Sequence, residues 1–104
     1  MDPREYSTTQ WWEEQLVADY REYRWRQLME LMYRQMEKWK AGELTSADME
    51  HAFEECYHKI TELRHILNQR SDRAALLIQV LDWEWFQEWI REHTPPRGAR
   101  IIME

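Results

Sequence analysis

Turn-forming residues are scarce in this chain of 104 residues, which has two Gly and three Pro. Gly and Pro are the strongest local breaks of regular structure, so long uninterrupted stretches remain between them. Gly42 stands alone in the middle of the chain, and Pro95 and Pro96 lie together near its end. This spacing of breaks predicts an all-α chain made of long helices.

The first predicted helix ends at Trp39 or Lys40, just before Gly42. Three residues near its start are possible N-caps: Ser7, Thr8 and Thr9. Its later half carries an apolar stripe at helical spacing: Trp25, Leu28, Met29, Met32, Met36 and Trp39. Its earlier half carries a second stripe that is rotated away from the first: Trp12, Leu16, Tyr20 and Tyr23. Two faces of this helix therefore need to be covered.

The second predicted helix follows a short turn at 41–46, where Thr45 can cap it and Asp48 complements the helix dipole. Apolar residues then recur at alternating spacings of 4 and 3 residues: Met49, Phe53, Cys56, Ile60, Leu63 and Leu67. Such a heptad seam is typical of coiled coils. The first two helices are therefore predicted to form a long antiparallel hairpin, with Cys56 buried in its seam.

The third predicted helix begins near Ser71 or Asp72 and ends near His93. One of its faces consists of Ala74, Leu77, Ile78, Leu81, Trp85 and Trp89. The opposite face consists of Leu76, Val80, Trp83, Phe86 and Ile90, and the hairpin can cover only one of the two. We expect a single three-helix bundle over residues 8–93 that forms oligomers, with short flexible or docked termini at 1–7 and 94–104.

The uncovered helix faces define the predicted interface. The chain has seven Trp and is 13% aromatic, and a large apolar side chain left in water forgoes about 1.5–3 kcal/mol of burial free energy. We therefore predict a small interaction protein that assembles with itself or with another protein. The predicted interface residues are Trp11, Trp12, Tyr20, Leu76, Val80, Trp83, Phe86 and Ile90.

The second helix also carries two Glu-x-x-His units, Glu55 with His58 and Glu62 with His65. Residues three apart on a helix share a face, so each unit presents a carboxylate and an imidazole to one ion. The unit resembles that of ferritin-like carboxylate proteins, which implies an iron-binding or ferroxidase site completed by glutamates of other helices. Because helical geometry places these histidines opposite the seam, this alternative requires a second chain or an unusual packing.

Other classes of function have less support. A net charge of −6 argues against a nucleic-acid partner, although aromatic and basic residues alternate over 20–26 and keep a nucleic-acid-associated role as a further alternative. The methionines of the first stripe suit core filling better than an adaptable binding groove. No phosphate-binding loop or nucleophile motif is present, so the sequence shows no site for ordinary enzymatic chemistry. Without a long apolar window or a signal-peptide pattern, we expect a cytoplasmic protein with no membrane partner.

Overall fold

A computed structural model describes residues 3–102, with side chains for residues 8–102. It contains four helices: α1 (Pro3–Lys40), α2 (Ser46–Leu67), α3 (Ser71–Leu81) and α4 (Trp83–Glu92). The described residues form no β-strand, which confirms the all-α class. Over the same residues, no helix combines the length and the apolar character that crossing a bilayer requires.

The chain divides into two compact units that share α1. Unit 1 contains the chain up to Tyr20 and from Ile66 onward, and unit 2 contains Arg21–His65. This division does not test the single domain expected over residues 8–93, which remains a prediction. The oligomeric state also remains a prediction.

Unit 2 is the predicted hairpin, formed by the later part of α1 and most of α2. Gly42 has φ 80°, a left-handed conformation that favours glycine and ends α1. The Asp48 amide donates a hydrogen bond to the Thr45 hydroxyl at 3.2 Å, and the Thr45 amide donates to the Asp48 carboxylate at 2.9 Å. The bonds from the Thr45 amide and hydroxyl hold the pKa of Asp48 below its ordinary value. This reciprocal cap sets the start of α2.

The buried seam of the hairpin is narrower than the heptad pattern predicts. The large apolar side chains buried in unit 2 are Leu28, Met32, Met49, Cys56 and Leu63. Phe53 was expected in the seam but is 56% exposed, and Ile60 is half-buried. Each helix has one partner helix within the unit, and a single partner covers only one strip of a helix surface. The rest of the apolar stripe therefore faces outward.

Unit 1 is built around an aromatic core. Its large buried apolar side chains include Trp12, Leu16, Tyr20, Ile78, Phe86 and Trp89. The first three belong to the second α1 stripe, and all three are buried in this unit. The Trp12 ring meets Phe86 edge-on, with centroids 6.2 Å apart, and Tyr20 meets Trp85 at 4.9 Å. These contacts fix α4 against the first part of α1.

The predicted third helix is interrupted, so the described chain has four helices where three were expected. Asp82 has φ −146° and ψ 63°, which lies outside the helical region. Its amide donates to the Ile78 carbonyl at 2.8 Å and ends α3, while its carbonyl accepts the Phe86 amide at 3.1 Å and starts α4. The break interrupts the helical register between α3 and α4, and Phe86 from the predicted outer face is fully buried.

The first helix also begins earlier than predicted, at Pro3. Proline suits the first turn of a helix because no amide bond is needed there. All three predicted caps, Ser7, Thr8 and Thr9, consequently lie inside α1 and not at its start. The Thr9 hydroxyl donates to the Arg97 carbonyl at 3.4 Å. Residues 1, 2, 103 and 104 of the expected termini lie outside the described residues.

The segment after α4 is docked on its own chain. Gln79, only 1% exposed, donates from its amide nitrogen to the Arg100 carbonyl at 2.9 Å. Its amide oxygen accepts the Ile102 backbone amide, also at 2.9 Å. The Trp12 indole adds a bond to the His93 carbonyl at 3.1 Å. One buried side chain therefore holds two backbone groups of an otherwise irregular segment.

Replacing Gln79 with Met, a side chain of similar length without hydrogen-bonding groups, should release this segment. We expect the free energy of unfolding to fall by about 1–3 kcal/mol, because both bonds to the buried amide are lost. Amide hydrogen exchange should show lost protection at Ile102. Gln87→Met, at an exposed position of α4, is the matched control. Unchanged protection at Ile102 in Gln79→Met would contradict this role.

Candidate interaction surface

The eight predicted interface residues fall into three groups in the structure. Three are buried in unit 1: Trp12, Tyr20 and Phe86. Three are half-buried: Leu76, Trp83 and Ile90. Two are exposed, at 67% and 66%: Trp11 and Val80. The buried three belong to the core of the unit, so within one folded chain they offer no surface to a partner.

Hydrogen bonds explain how the rings of Trp89 and Tyr20, each of which carries one polar atom, are stable in the core. The Trp89 indole donates to the Asp19 carboxylate at 2.8 Å, and the Tyr20 hydroxyl donates to the Asp82 carboxylate at 3.4 Å. A buried Trp or Tyr ring is stable when its single polar atom has such a partner. The sequence pattern does not predict either carboxylate as an acceptor for these rings. The position of Asp82 inside the apolar run 76–86 was the available signal.

His93 completes this polar edge of the aromatic core. Its ring stacks on Trp89, with centroids 4.2 Å apart and planes 3° from parallel. Its Nδ1 lies 2.9 Å from the Trp89 carbonyl, and its Nε2 lies 3.7 Å from the Asp19 carboxylate. The imidazole is thereby held in one orientation at the end of α4, where it links that helix to α1.

Unit 2 carries the largest group of exposed apolar side chains. Seven large apolar side chains of unit 2 are 41–67% exposed, and we define the hairpin apolar surface as five of them: Met29, Tyr33, Met36, Phe53 and Tyr57. On each helix they follow helical spacing, so they form one strip on α1 and one on α2. The stripe and heptad patterns predict core positions for Met29, Met36 and Phe53, and the exposure of these three side chains shows that this prediction is wrong.

A groove on the opposite side of the hairpin shows that both apolar strips lie on the same side. Leu31 of α1 and Lys59 of α2 line one groove there, together with the buried Cys56. At about 100° per residue, Leu31 and Met29 lie on opposite sides of the buried strip of α1. Lys59 and Tyr57 are separated by the buried strip of α2 in the same way. The two apolar strips therefore lie together, on the side away from the groove.

The groove itself is shallow and lined by charges of both signs. A section of about 460 Å³ is lined by Arg24, Gln27, Leu28, Glu30, Leu31, Arg34, Lys59 and Glu62. Arg34 and Glu30 form an ion pair at 2.9 Å within this lining. Mixed charge around a shallow, open depression is typical of solvated helix surface, so the apolar side is the better candidate for binding.

The four predicted metal ligands lie on exposed positions of α2: Glu55, His58, Glu62 and His65. Their exposure agrees with the expected outward orientation of the histidine line. The Oε1 atom of Glu55 lies 3.2 Å from Nε2 of His51, which is also exposed. Among the described residues, no three His, Cys, Asp or Glu side chains are grouped so that they could hold one ion. An iron site therefore stays a prediction that needs ligands from a second chain.

The aromatic and basic stretch 20–26 has no common face. Tyr20 is buried in unit 1, whereas Arg26 is exposed and lies 4.0 Å from Glu22 one turn earlier. In this ion pair the Glu22 carboxylate neutralises the Arg26 guanidinium within the same helix. A nucleic-acid partner remains an untested alternative.

No protein-family model, no curated protein and no solved structure matches this chain. Its function is therefore inferred from the exposed residues and their chemistry. The hairpin apolar surface is the feature of the described residues that most needs a chemical explanation.

Glu13 is the one carboxylate of the described side chains that is buried in the core, with 8% of its surface exposed. Burial is the main cause that raises its pKa above the ordinary 4.5, and the Asp72 carboxylate raises it further while Arg100 opposes the shift. The folded chain therefore binds this proton more tightly than the unfolded chain. Stability should fall as pH rises from 4.5 through the raised value.

Glu13→Gln should stabilise the protein at neutral pH, because it removes a buried charge and keeps the shape of the side chain. The gain should shrink below the ordinary pKa of 4.5, where Glu13 is protonated in both states. Thermal unfolding at the two pH values measures the difference. Glu14→Gln, at an exposed neighbouring position, should leave the melting temperature nearly unchanged at both. A gain for Glu13→Gln that does not depend on pH would contradict the buried-charge explanation.

Proposed function

We propose that this protein is an interaction module that assembles with other protein chains through the hairpin apolar surface. One observation carries the proposal: five large apolar side chains of two adjacent helices are exposed together on one side of unit 2. Single exposed apolar residues are ordinary, but a contiguous group on one face is typical of a binding surface.

The composition of the surface supports a protein partner. Aromatic residues and methionine are enriched in the centres of protein interfaces, where they provide large contact area and few charges. The surface has two Tyr, one Phe and two Met, and methionine adapts its shape readily to a partner. A helix layer also normally packs against a further layer, and unit 2 has no further layer on this side.

The exposed residues of unit 1 are a weaker candidate. The large apolar ones are Trp11 on α1, Val80 and Leu81 at the end of α3, and Ile102 after α4, so no helix of this unit carries an exposed apolar strip. Three residues of the interface predicted from the sequence are buried in the core of unit 1: Trp12, Tyr20 and Phe86. The hairpin apolar surface takes its place in the proposal.

Photo-crosslinking tests the surface directly. Benzoylphenylalanine introduced at Tyr57 in the full-length chain should crosslink to protein on irradiation in the cells that produce it. The same group at His58, which is exposed and points away from this surface, should give little product. Mass spectrometry then identifies the crosslinked chain. Equal yields from both positions, or no product from Tyr57, would contradict the proposal.

Phe53→Ser together with Tyr57→Ser should abolish most of this assembly, because buried aromatic anchors contribute about 2 kcal/mol or more each at interfaces. The variant should keep its helical circular dichroism, since both side chains are exposed in the single chain. Crosslinking from Met36 measures the loss. Val80→Ser with Leu81→Ser, also at exposed apolar positions, is the matched control and should crosslink as the wild type does.

A further inference from the structure

Charged residues stand at the four corners of the hairpin apolar surface. On α2, Glu50, Tyr57 and Arg64 are spaced by seven residues, so the two charges bracket the apolar strip. On α1, Glu22 lies seven residues before Met29 and lines up with it, and its carboxylate also lies 4.0 Å from Arg26 one turn later. Lys40 lies one turn after Met36. All four charged residues are exposed.

The signs of these charges alternate around the surface. Each strip has a carboxylate at its N-terminal end and a cation at its C-terminal end. Because α1 and α2 run antiparallel, Glu22 shares the open end of the hairpin with Arg64, and Lys40 shares the turn end with Glu50. Like charges therefore occupy diagonal corners, and unlike charges occupy neighbouring corners.

We propose that the hairpin apolar surface binds a second copy of this chain, related to the first by a two-fold axis in the plane of contact. The inference rests on the proposed function and specifies the partner. An isologous contact uses the same patch on both copies, so a patch must be complementary to itself. Alternating corner charges have this property.

Two orientations of the axis satisfy the charges. An axis that runs across the helices places Glu50 opposite the partner's Arg64 and Glu22 opposite the partner's Lys40. An axis that runs along the helices places Glu50 opposite the partner's Lys40 and Glu22 opposite the partner's Arg64. Both bring each carboxylate to a cation, whereas a diagonal axis would bring like charges together. Either orientation forms a four-helix arrangement with the apolar strips inside.

Charge reversal at one corner tests this pairing. Glu50→Lys should weaken dimerisation about 10-fold, because the substitution occurs twice per dimer and replaces attraction with repulsion at both sites. Sedimentation equilibrium on the full chain measures the dissociation constant at low salt. The loss should diminish as salt screens the charges. Glu55→Lys makes the same charge change on the other side of α2 and should leave the constant nearly unchanged.

Two double reversals then identify the axis. Glu50→Lys with Arg64→Glu restores every pair when the axis runs across the helices, and it leaves like charges opposed when the axis runs along them. Glu50→Lys with Lys40→Glu gives the converse result. Exactly one of these two variants should therefore recover wild-type dimerisation. Circular dichroism confirms that each variant retains its helices.

Three results would overturn the second copy as the partner. They are a monomeric wild-type chain, an effect of Glu50→Lys equal to that of Glu55→Lys, and failure of both double variants to recover. The proposed function has a separate outcome. Crosslinks from Tyr57 to a different protein would preserve the interaction module and reject only the self-pairing, whereas no crosslink at all would reject both.

Discussion

Two packed helices cover only the strip that they share, and this constraint governs unit 2. The hairpin buries Leu28 and Met32 on α1 against Met49, Cys56 and Leu63 on α2. Apolar residues that flank that strip, such as Met29 and Phe53, remain partly in water. The Gly42 turn and the Thr45 cap make the hairpin local and well defined. The same features leave its apolar flank open, and the proposed interaction follows from that flank.

Unit 1 also has more apolar helix surface than one helix pair can cover, and it buries much of that surface within its own chain. The break at Asp82 divides the predicted third helix in two, and Ile78 of α3 and Phe86 of α4, which were predicted on opposite faces, are both buried in the core. Buried indole and phenol groups then need acceptors, and Asp19 and Asp82 supply them. The two units thus illustrate two ways to cover an excess of apolar helix surface. One interrupts a helix so that both parts contribute to the core, and the other leaves apolar side chains exposed.

Much of the fold could be predicted from the sequence, because turn residues and apolar periodicity act locally. The all-α class, the hairpin turn and the two orientations of stripe on α1 follow from such patterns. The break at Asp82 could not, since its advantage arises only when Phe86 and Trp89 meet Trp12, a contact far apart in sequence. The candidate surface was missed for a related reason. Periodicity marks Met29 and Phe53 as apolar stripe residues but does not state how many helices will cover the stripe.

The amide of Gln79 has a further consequence for the end of the chain. A side-chain amide carries one carbonyl and one N–H group, the same pair that a peptide unit offers to a neighbouring strand. By bonding the Arg100 carbonyl and the Ile102 amide, Gln79 acts as a single rung of β-ladder in a region where every regular element is helical. Glutamate would lose the donor, and methionine would lose both groups. An extended tail can thus be tethered to a helical protein without a strand, at the cost of dependence on one residue type.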